Sequence, residues 1–188
     1  TSLTTIPAGL PYLFADPGLE AQWRRELAAV GDFKIGICWQ GNPKHAWDRL
    51  RSIPLCQFAP LARLDGVRLF SLQKGPGSEQ IKEAAFPITD LACRLDEASG
   101  PFMDTAAVMK NLDLIITADT SVAHLAGALG VPVWIALPFL PDWRWLLERE
   151  DSPWYPTVRL FRQTKRGDWQ ELFERIVGQV TGKNVVVR

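Results

Sequence analysis

Residues 113–138 read DLIITADTSVAHLAGALGVPVWIALP. A β-branched apolar run leads into Asp119-Thr120-Ser121, then into a stretch of small residues carrying His124, and a second apolar run comes after Gly130. The order predicts a strand, a helix starting at Thr120 or Ser121, and another strand. Ala123, Ala126, Gly127 and Ala128 let such a helix lie close to a sheet, and Gly130 supplies its C-terminal stop. Two strands joined by a helix are parallel, and a unit of this kind builds an α/β fold.

The same alternation extends in both directions. Upstream, residues 17–30 place Leu19, Trp23 and Leu27 on one helical face, 34–41 form a strand ending in glycine, and 42–52 read as a loop. A helix over 54–64, a strand over 67–73, a weaker helix over 78–85 and a short strand over 88–91 come next. Asp104 can then cap a helix over 105–112. Downstream, a tryptophan-rich loop precedes a strand beginning TVRLFRQ and a last amphipathic helix over 168–181. The expected fold class is α/β, a Rossmann-like doubly wound parallel sheet of about six strands.

The chain has 188 residues, 47% hydrophobic and 22% charged, with 21 basic against 21 acidic side chains. That length can bury a core in one domain, and the balanced charge supplies no net field toward nucleic acid or an anionic membrane. A small-molecule or protein partner is the expectation. Cys38, Cys56 and Cys93 are odd in number and widely spaced, which indicates neither a disulfide framework nor a zinc site. They are expected as buried free thiols in a reducing cytoplasm. The longest apolar stretch is too short to span a bilayer and is broken by proline. Residues 1–16 read as a linker from a missing upstream region, without a signal peptide, and 17–188 as the domain.

Ligands of open α/β sheets bind outside the carboxyl ends of the strands, so the candidates lie in the segments immediately after each strand. A helix beginning at Thr120 or Ser121 aims free N–H groups and a positive dipole end at that rim, where a phosphate is readily held. Ser121 and His124, three residues apart, share a helical face and both can donate to phosphate oxygen. The plainer alternative is that Asp119 or Thr120 caps the helix and His124 sits half in the core.

The loop after the first strand gathers Lys44, His45, Arg49 and Arg51 beside Gly41, as a pyrophosphate clamp or as a solvated basic loop. Gln73 and Lys74 end the second strand, and KGPGS approximates a phosphate loop without matching the Walker pattern; a simple turn is the alternative. Gly36 and Gly41 miss the dinucleotide fingerprint, which disfavours a nicotinamide cofactor. Trp143, Trp145 and Trp154 can stack a base or sugar, or simply pack their loop.

Residues 113–138 resemble the C-terminal signature of the ADP-heptose heptosyltransferases, glycosyltransferase family 9. The segments RSIPL, SLQKG, DTAAV, DWRW, SPWYP and LFRQ are similar to landmarks of the glycosyltransferase-like domain that follows tetratricopeptide repeats in many bacterial proteins. The resemblance spans residues 33–175. It implies the nucleotide-sugar-binding C-terminal half of a GT-B enzyme, inverting and metal-independent, with no cofactor beyond its donor. Asp119, Thr120, Ser121 and His124 would form the diphosphate-binding helix start, with Gln40, Lys44, Arg49 and Arg51 around the same phosphates.

Gln73, Lys74, Asp104, Thr105 and Trp143 are the candidates for base or sugar contacts. His124 would stabilise leaving-group charge. The implied partners are a nucleotide sugar and an upstream acceptor-binding or tetratricopeptide-repeat region, which would supply the catalytic base. No residue of this chain is assigned as catalytic. The rival expectation is a non-catalytic interaction platform with a filled strand-end cleft.

Overall fold

The computed structural model describes residues 5–6, 9–28 and 33–182. Six strands, β1 (Phe33–Cys38), β2 (Val67–Ser71), β3 (Thr89–Asp90), β4 (Leu114–Ala118), β5 (Val133–Leu137) and β6 (Val158–Arg162), form one sheet in the order β3-β2-β1-β4-β5-β6. Every pairing is parallel. This is the doubly wound arrangement, and the order reverses between β1 and β4.

Side-chain alternation along the strands divides the core into two layers. Ile115, Val133, Ile135 and Leu160 face one side, against α1 (Pro17–Leu27), α4 (Met103–Met109) and α5 (Ser121–Ala128). Ile35, Ile37, Leu114, Ile116 and Trp134 face the other, against α3 (Ala59–Ala62) and α6 (Trp169–Gly182). α2 (Asp48–Arg51) is a single turn in the loop after β1. Phe58 meets Phe173 edge to face with centroids 4.6 Å apart, joining the α3 region to α6.

Local chemistry explains where the helices begin and end. Asp16 accepts from the Leu19 amide at 2.9 Å and Pro17 occupies the first turn, so α1 starts there. α5 stops in a Schellman motif: the Gly130 amide donates to Gly127 O at 3.1 Å and the Val131 amide to Ala126 O at 3.0 Å. Gly130 has φ +69°, a conformation that strains any residue with a Cβ. The Tyr12 and Leu13 amides both donate to Ala128 O, which ties the N-terminal segment to the end of α5.

Several expectations need correction. Residues 54–64 are not one helix but a 3-10 turn (Leu55–Phe58) running into α3, and 78–85 is also 3-10 (Ser78–Glu83). Asp104 does not cap α4; it lies inside the first turn, and Asp96 accepts from the Thr105 amide at 3.0 Å instead. The loop over 42–52 contains α2. Of the thiols only Cys38 is buried, whereas Cys56 and Cys93 are exposed. Residues 29–30, the end of the first expected helix, lie outside the described residues, as do 1–4, 7–8, 31–32 and 183–188.

Candidate functional site

At the carboxyl ends of β1 and β4, where the strand order reverses, the chain leaves a cleft of about 1180 Å³. Its lining includes Gln40, Arg51, Gln73, Lys74, Thr105, Asp119, Thr120, Ser121 and His124. Four exposed apolar side chains, Trp47, Leu50, Phe102 and Leu140, stand at its mouth. Lys44, Arg49, Asp104 and Trp143 do not line it.

The start of α5 forms one wall. Thr120 precedes the helix in extended conformation and makes no side-chain cap. Its hydroxyl turns inward to Thr117 Oγ1 at 3.3 Å and to Cys38 Sγ at 3.8 Å. The side-chain capping by Thr120 that was the plainer alternative is therefore absent; the Ala123 amide donates to Thr120 O at 3.1 Å, and the Ser121 and Val122 amides before it are left for another acceptor at a positive dipole end. Burial pushes the Cys38 thiol up to about 11, so the sulfur below this wall stays protonated at neutral pH.

Arg51 is brought to the same wall by α2. Its Nη1 donates to Asp119 O at 2.8 Å, and its Nε lies 3.3 Å from Asp48 Oδ1. Gly41 makes this possible, because a Cβ there would sit 2.4 Å from Arg51 Nη2 and 2.7 Å from Asp48 Oδ1. Within the single turn of α2, Arg51 points inward and Arg49 is exposed. Lys44 is exposed as well, with its amide bound to Asn42 Oδ1.

Gln73 is committed to the scaffold. Its Oε1 accepts from the amides of Trp39 (3.1 Å) and Gln40 (2.9 Å) and from Cys38 Sγ, while its Nε2 donates to Gln40 O and Pro76 O. Both amide hydrogens are used, so the side chain keeps no donor for a base or sugar. Lys74 Nζ reaches Leu95 O and Glu97 Oε1. Asp104 accepts from Trp23 Nε1 at 2.8 Å, from the Asp96 amide and from Ser99 Oγ. Its pKa reflects an opposition: burial raises it, and these hydrogen bonds lower it further, leaving the carboxyl below its ordinary range. Thr105 does line the cleft, with its hydroxyl donating to Asp96 Oδ2 at 2.6 Å.

His124 is half-buried. Its ring stacks on the fully buried Trp145 with centroids 5.2 Å apart, and Nδ1 lies 3.0 Å from the Tyr155 hydroxyl. Burial lowers its pKa, against the opposing pull of Asp119. A second cavity of about 480 Å³ shares His124 and Arg144 with the cleft and adds Tyr12, Trp143, Trp154 and Tyr155. Trp143 belongs here, edge to face with Trp154; Trp145, under His124, is closed to a stacking ligand.

The fold is shared with solved glycosyltransferases. Escherichia coli ADP-heptose heptosyltransferase II superposes with a TM-score of 0.63 at 20% identity, over 94% of this chain and 55% of that one. A glycosyltransferase family 9 protein of Veillonella parvula gives 0.61 at 16% identity, over 96% and 54% respectively. Anabaena HepE, solved in complex with UDP-glucose, gives 0.53 at 18% identity, over 90% and 44%. In sequence, protein FlbA of Caulobacter vibrioides is 29% identical over 177 residues, which is 91% of this chain and 29% of FlbA. No protein-family profile matches. The chain thus spans about half the length of the solved neighbours and less than a third of FlbA.

Several lining residues were not anticipated from sequence. Asp96 and Arg166 join the cleft from loops that have no periodic pattern, whereas Asp142 and Arg144 come from the segment after the fifth strand, among the strand-end candidates. Tyr155 stood in the SPWYP segment, but its partner His124 is 31 positions away. Among the described residues no three His, Cys, Asp or Glu side chains group to hold a metal ion, and no helix is long and apolar enough to cross a membrane.

Proposed function

We propose that the cleft is the donor site of an inverting, metal-independent glycosyltransferase and takes the diphosphate of a nucleotide sugar at the start of α5. The observation that carries this is the uncapped helix start, open to the cleft beside an inward-turned arginine. The Ser121 and Val122 amides, Ser121 Oγ and His124 supply donors, and Arg51 supplies countercharge. Together they would hold a diphosphate and stabilise its charge as the glycosidic bond breaks. The open cleft favours this over an interaction platform, for which a filled strand-end cleft was expected.

On this reading an upstream region, an acceptor-binding half or a tetratricopeptide-repeat segment, brings the acceptor and the base, and the assembly works in the cytoplasm. The chain alone binds a nucleotide sugar weakly and transfers nothing. Thermal melting against a panel of nucleotide sugars and nucleoside diphosphates tests the binding, because a ligand of the folded state raises the melting temperature. Labelled donors with mixed acceptors test the transfer. Absence of stabilisation by every member removes the donor-site reading, and sustained sugar transfer by the isolated chain removes the division of labour.

A further inference from the structure

Tyr155 packs directly against His124. Its hydroxyl is 3.0 Å from Nδ1, and its ring stands edge-on to the imidazole with centroids 5.8 Å apart. Trp145 covers a face of the imidazole as a near-parallel stack, at an interplanar angle of 22°. The phenol is itself held by α5: a Cβ on Gly127 would lie 2.6 Å from Tyr155 Cγ, so the absence of a side chain one turn beyond His124 creates the seat for the ring. Ring, stack and seat leave the imidazole little rotational freedom.

Either group can donate across this contact, since a phenol both donates and accepts and the imidazole does so according to its tautomer; their surroundings bear on which does. Burial, with the Tyr12 hydroxyl next, raises the Tyr155 pKa far above neutrality, so its oxygen carries a proton to donate. Burial lowers the His124 pKa, so the imidazole is neutral near pH 7 and has one nitrogen free to accept. Asp119, Asp142 and Arg144 are the charged groups acting on the ring, the two carboxylates raising its pKa and the arginine lowering it, while the phenols of Tyr155 and Tyr12 lie beside it. A donor at Nδ1 leaves the imidazole proton on Nε2.

We propose that Tyr155 is a positioning residue that fixes His124 in the Nε2–H tautomer, so that the ring offers a donor rather than a lone pair to an anionic oxygen bound in the cleft. The ligand half of this inference rests on the diphosphate reading; the tautomer half does not.

The test is nitrogen-15 spectroscopy of the imidazoles in the ligand-free chain near pH 7.5, with parallel titrations of UDP and ADP. The chain has only two histidines, so a His45→Gln variant assigns both. Wild type is expected to show His124 with Nε2 protonated and Nδ1 bare. In Tyr155→Phe, which keeps the ring, the two resonances should move toward each other as the two tautomers mix. Affinity for the nucleoside diphosphate bound by wild type should fall about two- to tenfold, the range of one ordinary hydrogen bond.

A wild-type proton on Nδ1 overturns the proposal without any variant being needed. So does a folded Tyr155→Phe chain whose tautomer and affinity match wild type. If the tautomer responds to the substitution but wild type binds no nucleoside diphosphate, the positioning role stands and the donor-site reading fails.

Discussion

Replacing Arg51 by lysine separates a clamp from a solvated basic loop. The guanidinium serves two partners at once, Nη1 on Asp119 O at 2.8 Å and Nε beside Asp48 Oδ1 at 3.3 Å, with 20% of the side chain exposed. A single ammonium cannot span both, and Asp48 is only 5% exposed, so its carboxylate loses a neighbour where water cannot fully replace it. A hydrogen bond to a charged group contributes about 1.5–3 kcal/mol, and partial exposure places this one near the lower end, at about 2 kcal/mol. For a domain of this size that corresponds to a melting temperature about 4–8 °C lower. If Arg51 also grips phosphate through its planar fork, nucleoside diphosphate affinity falls about tenfold in addition. Calorimetric melting and titration measure the two effects separately. Arg49→Lys, at an exposed position off the cleft, is the control and should change neither. Arg51→Lys and Arg49→Lys that are both indistinguishable from wild type would refute the clamp.

Ser121→Ala should weaken nucleoside diphosphate binding by about 1.5–3 kcal/mol while leaving stability within about 0.5 kcal/mol, read by titration and urea unfolding. Gly127→Ala should destabilise by about 1–3 kcal/mol through the clash with Tyr155, and should displace the phenol from His124, visible in the imidazole resonances. Stability should also depend on pH through His124. Its folded pKa is lowered by burial, so the unfolded chain takes up the proton more readily. The contribution is present above the unfolded value of about 6.5 and is lost as pH falls through the folded one. Urea midpoints at pH 7.5 and 5.5 should therefore differ less in His124→Asn than in wild type.

What was legible in the sequence was whatever depends on near neighbours. The strand, helix and strand around Gly130 could be read because alternation and a left-handed stop are local properties, and six alternating units leave little choice but a parallel sheet. The start of α5 was visible for the same reason. The role of Thr120 was not, since its inward turn depends on Cys38, 82 positions away. Asp104 looked like a cap because nothing local shows Trp23 arriving from α1 to claim its carboxylate. Arg49 and Arg51 could not be ranked until one turn of helix was seen to direct one outward and the other to Asp119.

The central claim, that this cleft recognises phosphate at the start of α5, is tested most directly by titrating one nucleoside, its monophosphate and its diphosphate into the wild-type chain and into His124→Ala. The account predicts that affinity rises along the series in wild type, that salt weakens the diphosphate most, and that His124→Ala removes most of the gain from the diphosphate. Equal affinity for nucleoside and diphosphate, or a gain that survives in His124→Ala, would contradict it.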